Sequence, residues 1–250
     1  MQQLDSVTLA QSSAAARQSV QPFAKPLQAI AVFGRSGREM DFGGLSAAQY
    51  IDHWVRAARQ GDPKAAYEVY KAEAVCATAD EIAPAFNAAK DRETYETERA
   101  SVRALCAKVS PAQIQERLNF LQLAARKGNL DARIDYYVEG PYGRDLPAAT
   151  GNDDPIVVAW KTDSYHFLQS AAQQCDPYAL GLLANAFDAG DIVSRDLTMT
   201  LAYSVAESHL RKGSITSEHW NRRFGGELSP TQMEAGLKLG EKIASDSCRP

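Results

Sequence analysis

The residues that could do chemistry in this chain are few and scattered. Four histidines, His53, His166, His209 and His219, show no metal-binding spacing such as HExxH. There is no GxSxG, P-loop, GxGxxG or SxxK motif. Gly34-Arg35-Ser36-Gly37 is a loop with a serine, too short on glycine to cradle a phosphate. No catalytic group, metal site or cofactor is expected from these patterns. The four cysteines, Cys76, Cys106, Cys175 and Cys248, have no CxxC spacing, which argues against zinc. An even number of scattered cysteines suits two disulfides in an oxidising compartment. Free buried thiols in the cytoplasm are the alternative.

The elements that would position such residues are organised around Trp54 to Tyr70, WVRAARQGDPKAAYEVY. This stretch reads as two helices meeting at a tight corner. Ala57 and Ala58 keep the end of the first helix slim. Gly61 stands where a helix C-terminus needs positive φ. Asp62 can cap the next helix, and Pro63 fits its first turn, where no N–H is required. The corner recurs in residues 121–137, with Ala124, Ala125, Gly128, Asn129 and Ala132, and in residues 168–184, with Ala171, Ala172, Asp176, Pro177 and Ala179. In the third copy Cys175 takes the place of the glycine. Repeated corner chemistry is the sign of a repeat architecture.

The third copy continues with Gly181, Ala184, Phe187, Gly190, Val193, Asp196 and Ala202-Tyr203, and a bulky residue precedes each alanine pair: Trp54, Leu121 and Leu168. In these features the chain resembles the Sel1-like repeat family, a short relative of the tetratricopeptide repeat. The resemblance is strong over about residues 160–210, where nearly all of the pattern is matched, and partial over 46–140. It implies an all-α fold, an α/α solenoid of Sel1-like or tetratricopeptide-like helix pairs. The copies lie further apart than the usual period of about three dozen residues, which implies inserts between units. Some cysteine-rich Sel1-like proteins are linked to penicillin binding. Those place two cysteines seven apart in each repeat, a spacing this chain lacks.

The resemblance also implies that the first helix of each pair lines a concave surface. Counted from the first alanine of each pair, positions −8, −5, −1 and +2 share one stripe. They are Gln49, Asp52, Arg56 and Arg59 in copy one; Glu116, Asn119, Leu123 and Arg126 in copy two; Asp163, His166, Ser170 and Gln173 in copy three. All but Leu123 are polar. Gln49, Asp52, Arg56, Arg59, Glu116, Asn119, Arg126, Asp163, His166 and Gln173 are therefore the candidate binding residues, for a protein or peptide. An ordinary solvated helix face would look the same.

The rest of the chain follows local signals. Residues 1–45 are poorly patterned and read as an N-terminal arm; residues 46–250 read as the solenoid. Ser46 with Gln49, Ser110 with Gln113 and Ser229 with Gln232 each form a capping-box signature. A helix is expected at 92–108, with Val102 and Leu105 inward. Residues 138–161 are rich in glycine and proline and read as a loop insert holding at most a short turn at 156–160. The third repeat then starts at Thr162 or Asp163. A helix over 196–212 ends at Gly213, a short one begins at Ser217, and a capping helix spans 230–245.

This layout pairs the cysteines. Cys76 and Cys106 end two helices expected to lie side by side. Cys175, at an exposed corner, is within reach of Cys248 in the tail. The expected disulfides are Cys76–Cys106 and Cys175–Cys248.

Net charge is −4 over 250 residues with no basic tract, which argues against nucleic acid and anionic membrane surfaces. No apolar run approaches the ~20 residues of a membrane span. Met1-Gln2-Gln3 reads as an initiator on a mature chain whose signal peptide has been removed. The expected function is a non-catalytic protein- or peptide-binding scaffold of the bacterial envelope, periplasmic or secreted. The alternatives are an enzyme acting on cell-wall material or a β-lactam, and a cytoplasmic location.

Overall fold

The computed structural model describes residues 32–33, 39–79, 89–143, 151, 153–213 and 216–247. The fold is all-α. Among the described residues there are ten helices and one short antiparallel ladder, β1 (Val32–Phe33) with β2 (Glu39–Met40). The helices are α1 (Ala47–Arg59), α2 (Pro63–Ala77), α3 (Ala89–Cys106), α4 (Pro111–Arg126), α5 (Leu130–Glu139), α6 (Pro155–Ala172), α7 (Pro177–Ala189), α8 (Leu197–Leu210), α9 (Ser217–Phe224) and α10 (Pro230–Ser247).

The three corners share one geometry. Gly61 and Gly128 have φ of 92° and 97°, and Cys175, in the same place, has φ of 64°. At the first corner the Asp62 amide donates to the Ala57 carbonyl at 3.1 Å and the Gly61 amide to the Ala58 carbonyl at 2.9 Å. Asn129 with Ala124 and Gly128 with Ala125 repeat this at 3.0 and 3.1 Å; Asp176 with Ala171 and Cys175 with Ala172 repeat it at 3.3 and 3.0 Å. These paired bonds are the left-handed C-cap that satisfies a helix's last carbonyls. The next helix is then capped by the side chain of Asp62, Asn129 or Asp176, which accepts from the amide of Ala65, Ala132 or Ala179. All three serine–glutamine capping boxes form as well.

Three expectations are corrected. The third repeat's first helix does not start at Thr162 or Asp163. It starts at Pro155, inside the stretch expected to be a loop insert. Asp154 accepts from the amides of Ile156 and Val157, and Pro155 sits at the first helical position, where it helps rather than breaks. The early turns earn their place by burying Trp160, whose indole N–H donates to the Tyr136 carbonyl at 3.0 Å. The eighth helix ends at Leu210, and the left-handed residue after it is Lys212, with φ of 55°, not Gly213. Finally, the stretch before α1 is not loose throughout. Met40 and Phe42 are buried in the first core cluster, with the Phe42 ring edge-on to Tyr50 at 5.3 Å. Most of residues 1–45 lies outside the described residues.

Packing follows chain order with two bypasses, at α3 and at α9. α1 packs on α2, α2 on α4, α4 on α5, α5 on α6, α6 on α7, α7 on α8 and α8 on α10. α3 touches α2 and α1 only lightly, so the line of packing runs from α2 straight to α4. Alanine makes the approaches close: Ala58, Ala124, Ala125 and Ala171 are wholly buried. At the far end Gly236 and Gly240 let α10 press into α8. A Cβ on Gly240 would meet the Ala202 carbonyl oxygen at 2.5 Å and the Val205 side chain at 2.6 Å.

Cys76 and Cys106 form the expected disulfide, with Cα atoms 5.4 Å apart. Cys175 is also disulfide-bonded. Its expected partner, Cys248, lies outside the described residues.

Candidate functional site

The candidate binding residues sit on α1, α4 and α6, with Gln173 at the C-cap just past α6, and the structure ties four of them together in a regular way. Arg59, at +2 of copy one, meets Glu116, at −8 of copy two, with 3.3 Å between Nη2 and Oε2. Arg126, at +2 of copy two, meets Asp163, at −8 of copy three, with 3.1 Å between Nη2 and Oδ2. The same repeat positions therefore pair across both junctions, and the end of one first helix lies beside the start of the next.

The remaining stripe residues divide. Gln49 is engaged in the capping box of α1. Asp52, Arg56, Asn119, His166 and Gln173 are exposed, and their side chains form no ion pair or hydrogen bond with the described residues. The His166 ring rests against Tyr165 at 5.9 Å. Ser170 leaves the open stripe: Arg133 of α5 donates to its Oγ at 2.6 Å and to the Ala125 carbonyl at 3.2 Å. Leu123 is half-buried against the first core cluster.

Beneath the Arg59–Glu116 pair lies a polar layer that the sequence reading missed. Arg117, the next residue on α4, points inward and is 7% exposed. Its Nε donates to Glu139 Oε1 of α5 at 2.9 Å, its Nη1 to the Ile114 carbonyl at 2.6 Å and its Nη2 to the Gly143 carbonyl at 3.0 Å. Gly143, with φ of 73°, has no Cβ because the Arg117 guanidinium occupies that space. Tyr70 of α2 donates to the other oxygen of Glu139 at 3.2 Å, and Tyr67 to Asp135 Oδ2 at 2.7 Å. Burial, followed by the charges of Glu139 and Asp135, raises the Tyr70 hydroxyl well above its ordinary range.

Glu73 completes this layer. It is 1% exposed, and its Oε2 has no hydrogen-bond partner. Burial pushes its carboxyl from 4.5 up to about 8; repulsion from Glu116 adds to the rise, and Arg117 and Arg59 oppose it. Glu73 is therefore a neutral acid at pH 7, held under an exposed ion pair.

A signal for the layer existed in the sequence. Tyr67, Tyr70 and Glu73 are spaced three apart on one helix face, and Asp135 and Glu139 four apart. Polar groups at core spacing imply partners on another helix.

The arrangement can hold protons and fix helix spacing. Among the described residues no group of three or more histidine, cysteine, aspartate or glutamate side chains could hold a metal ion. No helix of the described residues is long and apolar enough to cross a membrane. No known protein-family model matches the chain, and no curated protein matches it in sequence.

Proposed function

We propose that this chain is a non-catalytic scaffold, a Sel1-like α-solenoid of the bacterial envelope that binds a protein or peptide along the stripe of α1, α4 and α6. The observation that carries the reading is the pairing of the +2 arginine with the −8 acid at both junctions. It supports a constant step from one unit to the next, as a solenoid requires. Two arginines and two acids neutralise one another in these pairs. Asp52, Arg56, Asn119, His166 and Gln173 remain available to a partner, a set of mixed charge and amide character suited to polypeptide. The Cys76–Cys106 disulfide supports an oxidising compartment.

The test is a cross-linking pull-down from envelope extract with the wild type and with Arg56→Glu, Arg59→Glu and Arg126→Glu combined. The captured protein should be lost with the triple variant. Melting should change little, because exposed pairs contribute at most about 1 kcal/mol. Unchanged affinity for the captured partner would remove the stripe from the account. A melting shift with β-lactams or muropeptides, and no captured protein, would favour an enzyme instead.

A further inference from the structure

Of the arginines that link α1, α4, α5 and α6, Arg133 alone is held by uncharged groups. Arg59, Arg126 and Arg117 each meet a carboxylate. Arg133 of α5 instead donates from Nε to the Ala125 carbonyl at 3.2 Å and from Nη1 to Ser170 Oγ at 2.6 Å. Its Nη2 lies beside the exposed Gly128, where an added Cβ would stand 3.8 Å away. Asp163, the acid of the same stripe, belongs to Arg126.

A guanidinium is always charged and has five N–H donors in a rigid plane. Two acceptors, one from α4 and one from α6, fix the plane of the Arg133 fork. The Ala125 carbonyl belongs to the last turn of α4, so the negative end of that helix offsets part of the charge. Neither acceptor is an anion, and the side chain is half-buried. Donors remain on Nη1 and Nη2. A fork held in place before any ligand arrives suits a carboxylate, which takes two parallel N–H bonds, and little arginine freedom is lost on binding.

The neighbours suit the same ligand. His166 lies four residues before Ser170 and Gln173 three after it, so both share its helix face. Both are exposed, and each can donate to an oxygen. Lys127, exposed next to Gly128, adds positive charge at the same corner.

We propose that Arg133 is the receptor for a carboxylate presented by a polypeptide, bound on its remaining N–H groups where the end of α4 meets α6, with His166 and Gln173 flanking it. That the carboxylate belongs to a polypeptide rests on the proposed function; that Arg133 takes a carboxylate does not.

Nuclear magnetic resonance titration of the full chain tests it, following the Arg133 Nε–H and the amides of Gly128 and Ser170. The probes are N-acetyl-diglycine, charged only at a chain-end carboxylate, N-acetyl-glutamic acid α-amide, charged only at a side-chain carboxylate, and N-acetyl-diglycine amide, which is uncharged. At least one carboxylate probe should shift these resonances saturably and bind about tenfold more tightly than the uncharged one, as charge-assisted hydrogen bonds require. The tighter carboxylate tells a chain end from an acidic side chain. Arg133→Lys, which keeps the charge and loses the fork, should weaken that probe about tenfold. Arg222→Met, at an exposed arginine of α9, should leave it unchanged. Equal affinity for all three probes in the wild type would overturn the proposal, whatever the variants do. So would carboxylate binding that both Arg133→Lys and Ser170→Ala leave intact. The pull-down with the charge-reversed stripe is read separately, so either proposal can fail without the other.

Discussion

Glu116 and Arg117 are neighbours on α4, and each holds an ion pair with another helix. Glu116 meets Arg59 of α1 at 3.3 Å, with side chains 35% and 64% exposed; Arg117 meets Glu139 of α5 at 2.9 Å, with side chains 8% and 1% exposed. By distance the two look alike. In free energy they differ, because water screens the first and is absent from the second. The outer pair is replaceable by hydration. The inner pair is not, since either charge left alone would stay buried. A pair's exposure and remaining partners, more than its length, say what breaking it will do.

The sharpest test of that difference is Arg117→Met. It strands Glu139 beside Tyr70 and frees the Gly143 carbonyl, and should cost about 3–5 kcal/mol in denaturant unfolding. Adding Glu139→Leu should recover part of the loss, because an apolar pair carries no desolvation cost. A loss below about 1 kcal/mol for Arg117→Met would erase the contrast between the two layers.

Gly143→Ala attacks the same layer from its lid. The added methyl falls on the Arg117 guanidinium, and φ of 73° disfavours alanine. A loss of about 2–3 kcal/mol is expected from displaced packing and backbone strain together.

Glu73 supplies a pH-dependent version of the comparison. Its carboxyl is raised from 4.5 to about 8 in the folded protein, so the folded state holds a proton that the unfolded state gives up in that window. Stability must therefore fall as pH rises from about 4.5 through 8 and level off above. Glu73→Gln, which keeps the shape of the neutral acid, should flatten this fall by about 2 kcal/mol, allowing for relaxation of the folded state around the buried charge. Equal pH slopes for the two proteins would show that Glu73 ionises freely. The smallest effect belongs to the rim: Arg59→Ala should cost less than about 1 kcal/mol, and less still in high salt.

Legibility in the sequence follows the same division between local and distant causes. The corners were readable because their chemistry is local. An alanine pair, a residue able to take positive φ and an aspartate or asparagine cap lie within a few residues, so Cys175 could be placed at a left-handed position from Gly61 and Gly128 alone. The Cys76–Cys106 bridge was readable because both residues close neighbouring helices. Proline was misread at 155, where its meaning depends on whether it begins a helix or interrupts one. Asp154 before it was the signal that decides. The end of α8 falls two residues before the expected 212, because the chain turns left-handed at Lys212 rather than running helically up to Gly213. Arg117, Glu139 and Glu73 were missed for a different reason. A helix period says which way a side chain points, not which helix will face it, and the partners of this layer come from three separate helices.

The direct contact of α2 with α4 has a consequence for chain length. The 31 residues from Ala79 to Val109 connect two helices that touch each other without them. Doubling the length of such a connection costs only about 0.6 kcal/mol in closure entropy. The distance in sequence between the first and second corners is thus nearly free to drift, while their distance in space is fixed by the alanines that meet there. An inserted domain would be tolerated in this connection far better than a single added methyl at Ala124.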